Sequence, residues 1–400
     1  MINGLSFFLF KNLFSLKNRK NYLQRKLLNT AILVIVLIIP LVLSLIFMDG
    51  MIKGITDKYI ALQDGHLQIY SKELKPIDSP LIASVESVIT GFGIVYSSDA
   101  TKEVKIKGVK ETYFNKERLK QLEITGNFKK ANSTAVASLM ISNEMASFLG
   151  VELGNRVALI VIPDSSKSVV RPLLGEITAL YCSGYYELDS NLIFMNYESA
   201  QRYFPLERDG YQEILARDSS DGTLTKIISE LEENEGNLFS WASWQQFNQS
   251  VYQNFITSRQ VILVVFFLIL VTAALYIGSI ALEIVQDSIQ RIALLKTFGL
   301  KNSALFNYYF SLIIMNVGAS IGVGLAIGVK LANYLPFLLN YLAGKNYSFL
   351  RYYLLDFPII INWPTLIQIC VSLLLIASVT LYFSFRRIKK ISVLELLQQD

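Results

Sequence analysis

Of 400 residues, 52% are apolar and 17% charged, a balance too greasy for an ordinary soluble protein and too polar for a chain lying wholly in lipid. One histidine and two cysteines nearly exclude a metal centre or a histidine-based catalytic relay. The net charge of +5 gathers at the ends of apolar segments, which makes it a topology signal and argues against nucleic acid as a partner.

Crossing a hydrocarbon core about 30 Å thick takes about 20 apolar residues in a helix, because every backbone polar group must be satisfied internally. Four segments meet that demand: Leu27 to Met48, Val261 to Leu282, Phe306 to Leu335 and Leu366 to Phe383. The first reads as an uncleaved anchor rather than a signal peptide, since its polar leader is about 26 residues long and no small-x-small site follows. Lys11, Lys17, Arg19, Lys20, Arg25 and Lys26 precede it, and Arg386, Arg387, Lys389 and Lys390 follow the last, so both termini are expected in the cytoplasm. Residues 1–26 are then a cytoplasmic segment and 27–48 the first span. Residues 49–258 form an outer domain, and 259–400 hold three more spans and a cytoplasmic tail. Cys182 falls in the outer domain and Cys370 in the fourth span, so no disulfide is expected.

Along the outer domain, His66 to Tyr70 and Val104 to Gly108 read as strands, with a helix between them over Ser79 to Thr90, Ser79 as its N-cap and Pro80 at its first position. Ser142 to Leu149 reads as a helix capped by Ser142 and closed by Gly150. Arg156 to Ile162, Gly175 to Tyr181 and Asn191 to Met195 read as strands, and Tyr197 to Tyr203 as a short helix. The fold class is therefore an α-helical membrane protein with a large α+β extracytoplasmic domain between helices 1 and 2. Phe247, Val251, Tyr252 and Phe255 recur at helical spacing, which predicts one continuous helix from Trp244 into the second span. Met51 to Leu62 extends the first span in the same way, giving two stalks. Gly318, Gly322, Gly324 and Gly328 make two G-x-x-x-G pairs that favour close helix packing in the third span.

The chain contains no phosphate-binding loop, no H-E-x-x-H and no C-x-x-C pair, so an enzyme active site has no visible support. His66 is expected to cap or pack at a strand start. Any driving energy is borrowed, and the place for a partner to press is the cytoplasmic loop at about 286–299. There Ile289, Ile292, Leu295 and Phe298 recur every third residue, and Gly299 closes the helix. A helix lying at the membrane surface and one docked in a partner's groove fit that pattern equally well.

The run from Ile292 to Gly299 resembles the coupling-helix motif of the FtsX and MacB type of ABC permease. Within the outer domain, Ser183 to Met195 with Ala200 and Gln201, Ala146 to Val157, and Ser243-Trp244 with Asn248 are similar to segments of lipoprotein-releasing permeases of the LolC and LolE type. Ser392 to Leu397 resembles their tail. Arg291, Ser392 and Asn155 depart from the residues usual at those places.

The resemblance implies a type VII ABC permease layout: a MacB-like domain at 49–258 and an FtsX-like permease domain at 259–400. It implies a non-catalytic subunit in a bacterial inner membrane that extracts lipoproteins from the outer leaflet and passes them to a periplasmic carrier. No cofactor is bound by this chain; ATP and Mg belong to a cytoplasmic ABC ATPase dimer, and a second permease subunit, the same or related, completes the complex. The ATPase-coupling set is Ile289, Arg291, Ile292, Leu295, Lys296, Phe298 and Gly299. Phe47, Met48, Met51, Ile52, Ile55, Phe255, Ile256, Ile262 and Phe266 would face the lipoprotein acyl chains and membrane lipids. Pro163, Arg171 and Pro172 mark a hairpin that would hook the carrier. The same-fold alternatives are a MacB-like peptide or drug efflux permease and an FtsX-like regulator of a cell-wall hydrolase.

Overall fold

The computed structural model describes residues 22–71, 79–98, 100–128, 136–162, 172–204, 210–218, 220–235, 239–288, 292, 296–297, 301–337, 341 and 358–388. In chain order it begins with helix α1 (Tyr22–Lys58), a π-helical turn (Tyr59–Asp64), and strands β1 (Leu67–Ser71), β2 (Ile82–Tyr96), β3 (Thr101–Val109), β4 (Glu123–Gly126) and β5 (Val136–Ser142). Helix α2 (Asn143–Leu149), β6 (Arg156–Ile162), β7 (Pro172–Cys182), α3 (Tyr186–Asn191), β8 (Leu192–Asn196), α4 (Tyr197–Tyr203), β9 (Gly210–Ala216) and α5 (Asp221–Glu235) follow. The chain then runs through β10 (Phe239–Ser243), α6 (Trp244–Phe247), α7 (Gln249–Asp287), α8 (Asn302–Ala332) and α9 (Trp363–Ile388). It divides into two compact units, one of Met51–Phe255 with Pro336–Pro358, the other of Met1–Gly50, Ile256–Leu335 and Ile359–Asp400.

In the sheet unit, β2 pairs β3, β3 pairs β8, β8 pairs β5, β5 pairs β7, β7 pairs β6, and β6 returns to the second half of β2. These six strands close a ring, which removes the exposed edges an open sheet would leave. The first half of β2 pairs instead with β9, which carries β1 and β10 outward, and β4 hangs on β7. Period-two alternation sorts the side chains. Ile193 and Met195 of β8, Leu139 and Ile141 of β5, and Ile106 of β3 fill one core, into which α2 and α4 insert Met145, Leu149 and Ala200. Leu192, Phe194 and Met140, one residue out of phase, join a second core with Val88, Tyr113 and Tyr211, and this is where the ends of α1 and α7 pack.

Ser142 caps α2 by accepting from the Met145 amide at 2.9 Å, and Gly150 closes the helix at φ 64°, as the sequence predicts. The stretch from Ser79 to Thr90 is a correction: it is strand, not helix. The Ser-Pro signal makes only a tight turn, with Ile82 N donating to Ser79 O at 3.1 Å. Beyond it the β-branched residues Ile82, Val85, Val88 and Ile89 are captured by pairing with β9, a long-range contact no local cap can report. The helix expected from Trp244 onward is also corrected. It breaks at Asn248, whose backbone leaves the helical region at φ −107° and ψ 41°, and α7 then runs unbroken to Asp287.

Among the described residues, four helices are long and apolar enough to cross a membrane. In the helical unit the glycine pairs of α8 behave differently. Cβ atoms built at Gly324 and Gly328 would each lie 3.0 Å from Cβ of Ile38 and Val42 on α1, whereas Gly322 faces open space and Gly318 only the tip of Leu374. One pair is therefore a close-packed seam, the other is not. Asn316 of α8 donates to the Leu27 carbonyl of α1 at 2.9 Å, a buried polar contact beside that seam. Lys26 of α1 pairs with Glu283 and, at 3.2 Å, with Asp287 on α7, while Asp49 of α1 faces Arg259 of α7 at 3.4 Å.

Candidate functional site

Where α1 ends inside the sheet unit, it widens into the π-helical turn Tyr59–Asp64, closed by Gly65 N donating to Ile60 O at 2.9 Å. Gly65 sits at φ 66°, and a Cβ there would lie 2.4 Å from Glu213 Cγ, so only glycine lets the chain leave the turn at this point. A helix end leaves carbonyls without partners, and a buried end must find them elsewhere. Here the partners are cations. Lys107 of β3, fully buried, donates through Nζ to Leu62 O at 2.9 Å and Gln63 O at 2.8 Å, and Arg118 donates through Nε to Ala61 O at 2.9 Å. The Tyr113 hydroxyl adds contacts to Ala61 O at 3.2 Å and Leu62 O at 3.1 Å.

Glu213 of β9 balances these charges, accepting from Lys107 Nζ at 2.5 Å and Arg118 Nη2 at 2.7 Å. Burial alone would push the Glu213 carboxyl up, but the two cations outweigh it and hold it below the usual carboxylate range. Burial drives Lys107 down to about 8 against the pull of Glu213. Two positive groups and one negative group thus meet the negative end of a helix dipole, a complementary arrangement. The Arg118 guanidinium also lies 3.8 Å from the centre of the Tyr113 ring.

Asp64, the last residue of the turn, carries the arrangement to α7. Its Oδ2 accepts from Asn248 Nδ2 at 2.7 Å, and its Oδ1 accepts from Lys105 Nζ and Gln68 Nε2, both at 3.3 Å. Asn248 sits at the break before α7, held by its own amide donating to Trp244 O at 2.9 Å, and Tyr252 N continues the helix from Asn248 O at 2.8 Å. Beside this pair opens a cleft of about 470 Å³, lined by Tyr59, Gln63, Lys105, Glu187, Asn248 and Val251 among others. Among the described residues, no group of histidine, cysteine and carboxylate side chains is placed to hold a metal. The arrangement is suited to fixing two helix ends against one another.

No protein-family profile matches the chain. It is 23% identical over 262 residues to the lipoprotein-releasing system transmembrane protein LolC of Xylella fastidiosa, a match covering 62% of this chain and 62% of that one. The chain resembles LolC distantly. It spans less than two thirds of that relative, while an uncharacterized membrane protein of Buchnera aphidicola is 20% identical over 415 residues and matched along its whole length. The extracellular domain of YknZ, a noncanonic ABC-type transporter from Gram-positive bacteria, aligns with 44% of this chain and 90% of its own at 13% identity and a TM-score of 0.30.

The residues expected to face acyl chains divide between the two units. Ile55 is 8% exposed and belongs to the second sheet core, with Met51 and Phe255 packed against it. In the helical unit Met48 is buried, while Phe47, Ile256, Ile262 and Phe266 are half-buried; Ile52, in the sheet unit, is half-buried too. Of the coupling set, Ile292 is buried and lines, with Lys296, Val285, Leu305 and Tyr309, a small cavity of about 30 Å³. Ile289, Arg291, Leu295, Phe298 and Gly299 lie outside the described residues, as do Pro163 and Arg171. Pro172 is the exposed first residue of β7, opposite Ile160. His66 accepts the Ala216 amide at 3.1 Å through Nδ1, a strand-start role. Sequence reading passed over Lys107, Arg118, Glu213 and Asp64. One signal was available: Glu213 stands between Tyr211 and Leu215 on the apolar phase of β9.

Proposed function

We propose that this chain is the membrane subunit of an ATP-driven transporter that draws lipoproteins from the outer leaflet of a bacterial inner membrane and passes them to a soluble periplasmic carrier. The observation that carries this reading is the similarity to LolC over 262 residues. It is supported by a chain in which one apolar helix is followed by a sheet domain and then by three more apolar helices. The lysine and arginine distribution supports both termini in the cytoplasm, with the sheet domain outside.

In this reading ATP and Mg are bound by a separate ATPase dimer, which presses on the segment around Ile292 and Lys296, and a second permease subunit, the same or related, completes the complex. Phe47, Met48, Ile256, Ile262 and Phe266 supply the apolar path for acyl chains, methionine giving it adaptability. Membrane lipids compete for the same surface. Met51, Ile52, Ile55 and Phe255 belong to the same set, with Ile55 also part of the sheet core. The hairpin holding Pro163, Arg171 and Pro172 meets the carrier.

The test is photo-crosslinking in the full complex from Phe47, Ile262 and Arg171. The first two should capture a triacylated lipoprotein and the third the carrier. Capture of small drugs or of a wall hydrolase instead would sink the reading. Leu295→Asp should leave ATP hydrolysis running while lowering release at least ten-fold, and undiminished release would refute the coupling assignment.

A further inference from the structure

Asp64 and Asn248 join the end of α1 to the start of α7. Asp64 is 2% exposed, closes a π-helical turn, and holds Asn248 at 2.7 Å across 184 residues of sequence. Such turns are rare and frequently lie at functional sites. The turn is held from behind by Lys107, Arg118 and Tyr113 on its carbonyls, so Asp64 has no freedom to follow Asn248 if the latter moves. Asn248 in turn is fastened through its backbone amide to Trp244 and is the residue from which α7 departs. A hydrogen bond to a carboxylate is about twice as strong as a neutral one, and both partners here are nearly out of water.

We infer that Asp64 and Asn248 form a joint that makes the end of α1 and the start of α7 move as one body, and that they are positioning residues for the transport cycle. The mechanical part stands on the geometry alone; the link to transport rests on the function proposed above. Displacement of one helix is then delivered to the sheet domain together with displacement of the other. Asp49–Arg259 and the shared second core also hold the two helices together; the joint adds a fixed point at their ends, and without it part of the motion would be lost as relative sliding. Asn248 also borders the 470 Å³ cleft.

The test uses the full chain in nanodiscs, with Cys182 and Cys370 replaced by serine and spin labels placed through Lys53→Cys and Gln253→Cys, both exposed positions. The distance distribution between the labels should be narrow in the otherwise unchanged chain and at least twice as wide in Asn248→Asp, which sets two carboxylates against each other. The reciprocal exchange Asp64→Asn with Asn248→Asp restores a donor and an acceptor and should restore the narrow distribution. Asn248→Ala is the companion variant, without the repulsion that could disturb folding, and should also broaden the distribution. Unchanged widths in Asn248→Asp and Asn248→Ala, or no recovery in the exchange, would overturn the joint.

In proteoliposomes with the ATPase and a fluorescent triacylated lipopeptide, Asn248→Ala should lower lipopeptide released per ATP at least five-fold with ATP turnover within two-fold. The exchange should recover the ratio. Intact exchange protection of the β9 amides separates this from misfolding. A chain with native Asp64 and Asn248 that releases no lipopeptide would count against the proposed cargo and leave the spin-label result standing. Release that is normal there and equally normal in Asn248→Ala would overturn the positioning role itself.

Discussion

Replacing Glu213 with glutamine would leave Lys107 and Arg118 as two buried cations with no full counter-charge. Breaking a buried pair in this way costs about 3–5 kcal/mol, so Glu213→Gln should strongly lower the denaturant midpoint of the sheet domain in the full chain. Lys107→Met should cost less, because Arg118 and Glu213 remain as a balanced pair. A second expectation concerns pH. Burial lowers His66 from 6.5 to about 4, so the folded chain keeps it neutral where the unfolded chain takes up a proton. The unfolded state therefore binds more protons between pH 6.5 and 4, and stability is full above 6.5 and falls as pH drops through that window, by about 3 kcal/mol in all. Hydrogen exchange at the Ala216 amide, corrected for intrinsic rate, should accelerate from pH 7 to 4.5 in the wild type and much less in His66→Gln. These residues show what local sequence hides. Lys105 and Lys107 alternate with Val104 and Ile106 as solvent-facing lysines do, and only the arrival of a helix end over that face buries Lys107.

Elements were legible to the extent that their signals were local. The cap at Ser142, the stop at Gly150 and the run from Arg156 to Ile162 all appear where sequence places them. The strand from Ile82 was hidden because its partner, β9, lies more than a hundred residues away. For the membrane helices, length and apolarity sufficed, but the four glycines of α8 looked alike in sequence and differ only by what stands opposite. Gly328→Leu should force α1 and α8 apart, at a cost of about 1–3 kcal/mol, and should lower the melting temperature in detergent. A Cβ at Gly322 meets nothing within 4 Å, so Gly322→Leu should leave it unchanged. Equal effects from the two substitutions would contradict the seam.

Among the described residues, two helices are far longer than a bilayer needs. At 37 and 39 residues, α1 and α7 are each more than 50 Å long at about 1.5 Å per residue, against a hydrocarbon core of about 30 Å. The ion pairs between them say which part belongs in lipid. Lys26 and Asp49 on α1 are about 34 Å apart by the same rise, and each meets an opposite charge on α7. Charges avoid the hydrocarbon interior, so these pairs bracket it. Val36→Cys and Val264→Cys, exposed at 61% and 59% in the protein alone, should resist a membrane-impermeant maleimide in intact vesicles. In the orientation proposed above, Lys53→Cys should react with it from the outer side. Labelling of Val36→Cys from water, or protection of Lys53→Cys, would move the boundary.

The π-helical turn at Tyr59–Asp64 fixes not only which residues meet but how many are permitted. Winding the same six residues as a regular helix would swing Asp64 by about 100° around the axis, away from Asn248, without changing any interacting side chain. At this turn the chain is sensitive to winding as much as to chemistry, so among related sequences an insertion here should be rarer than a substitution.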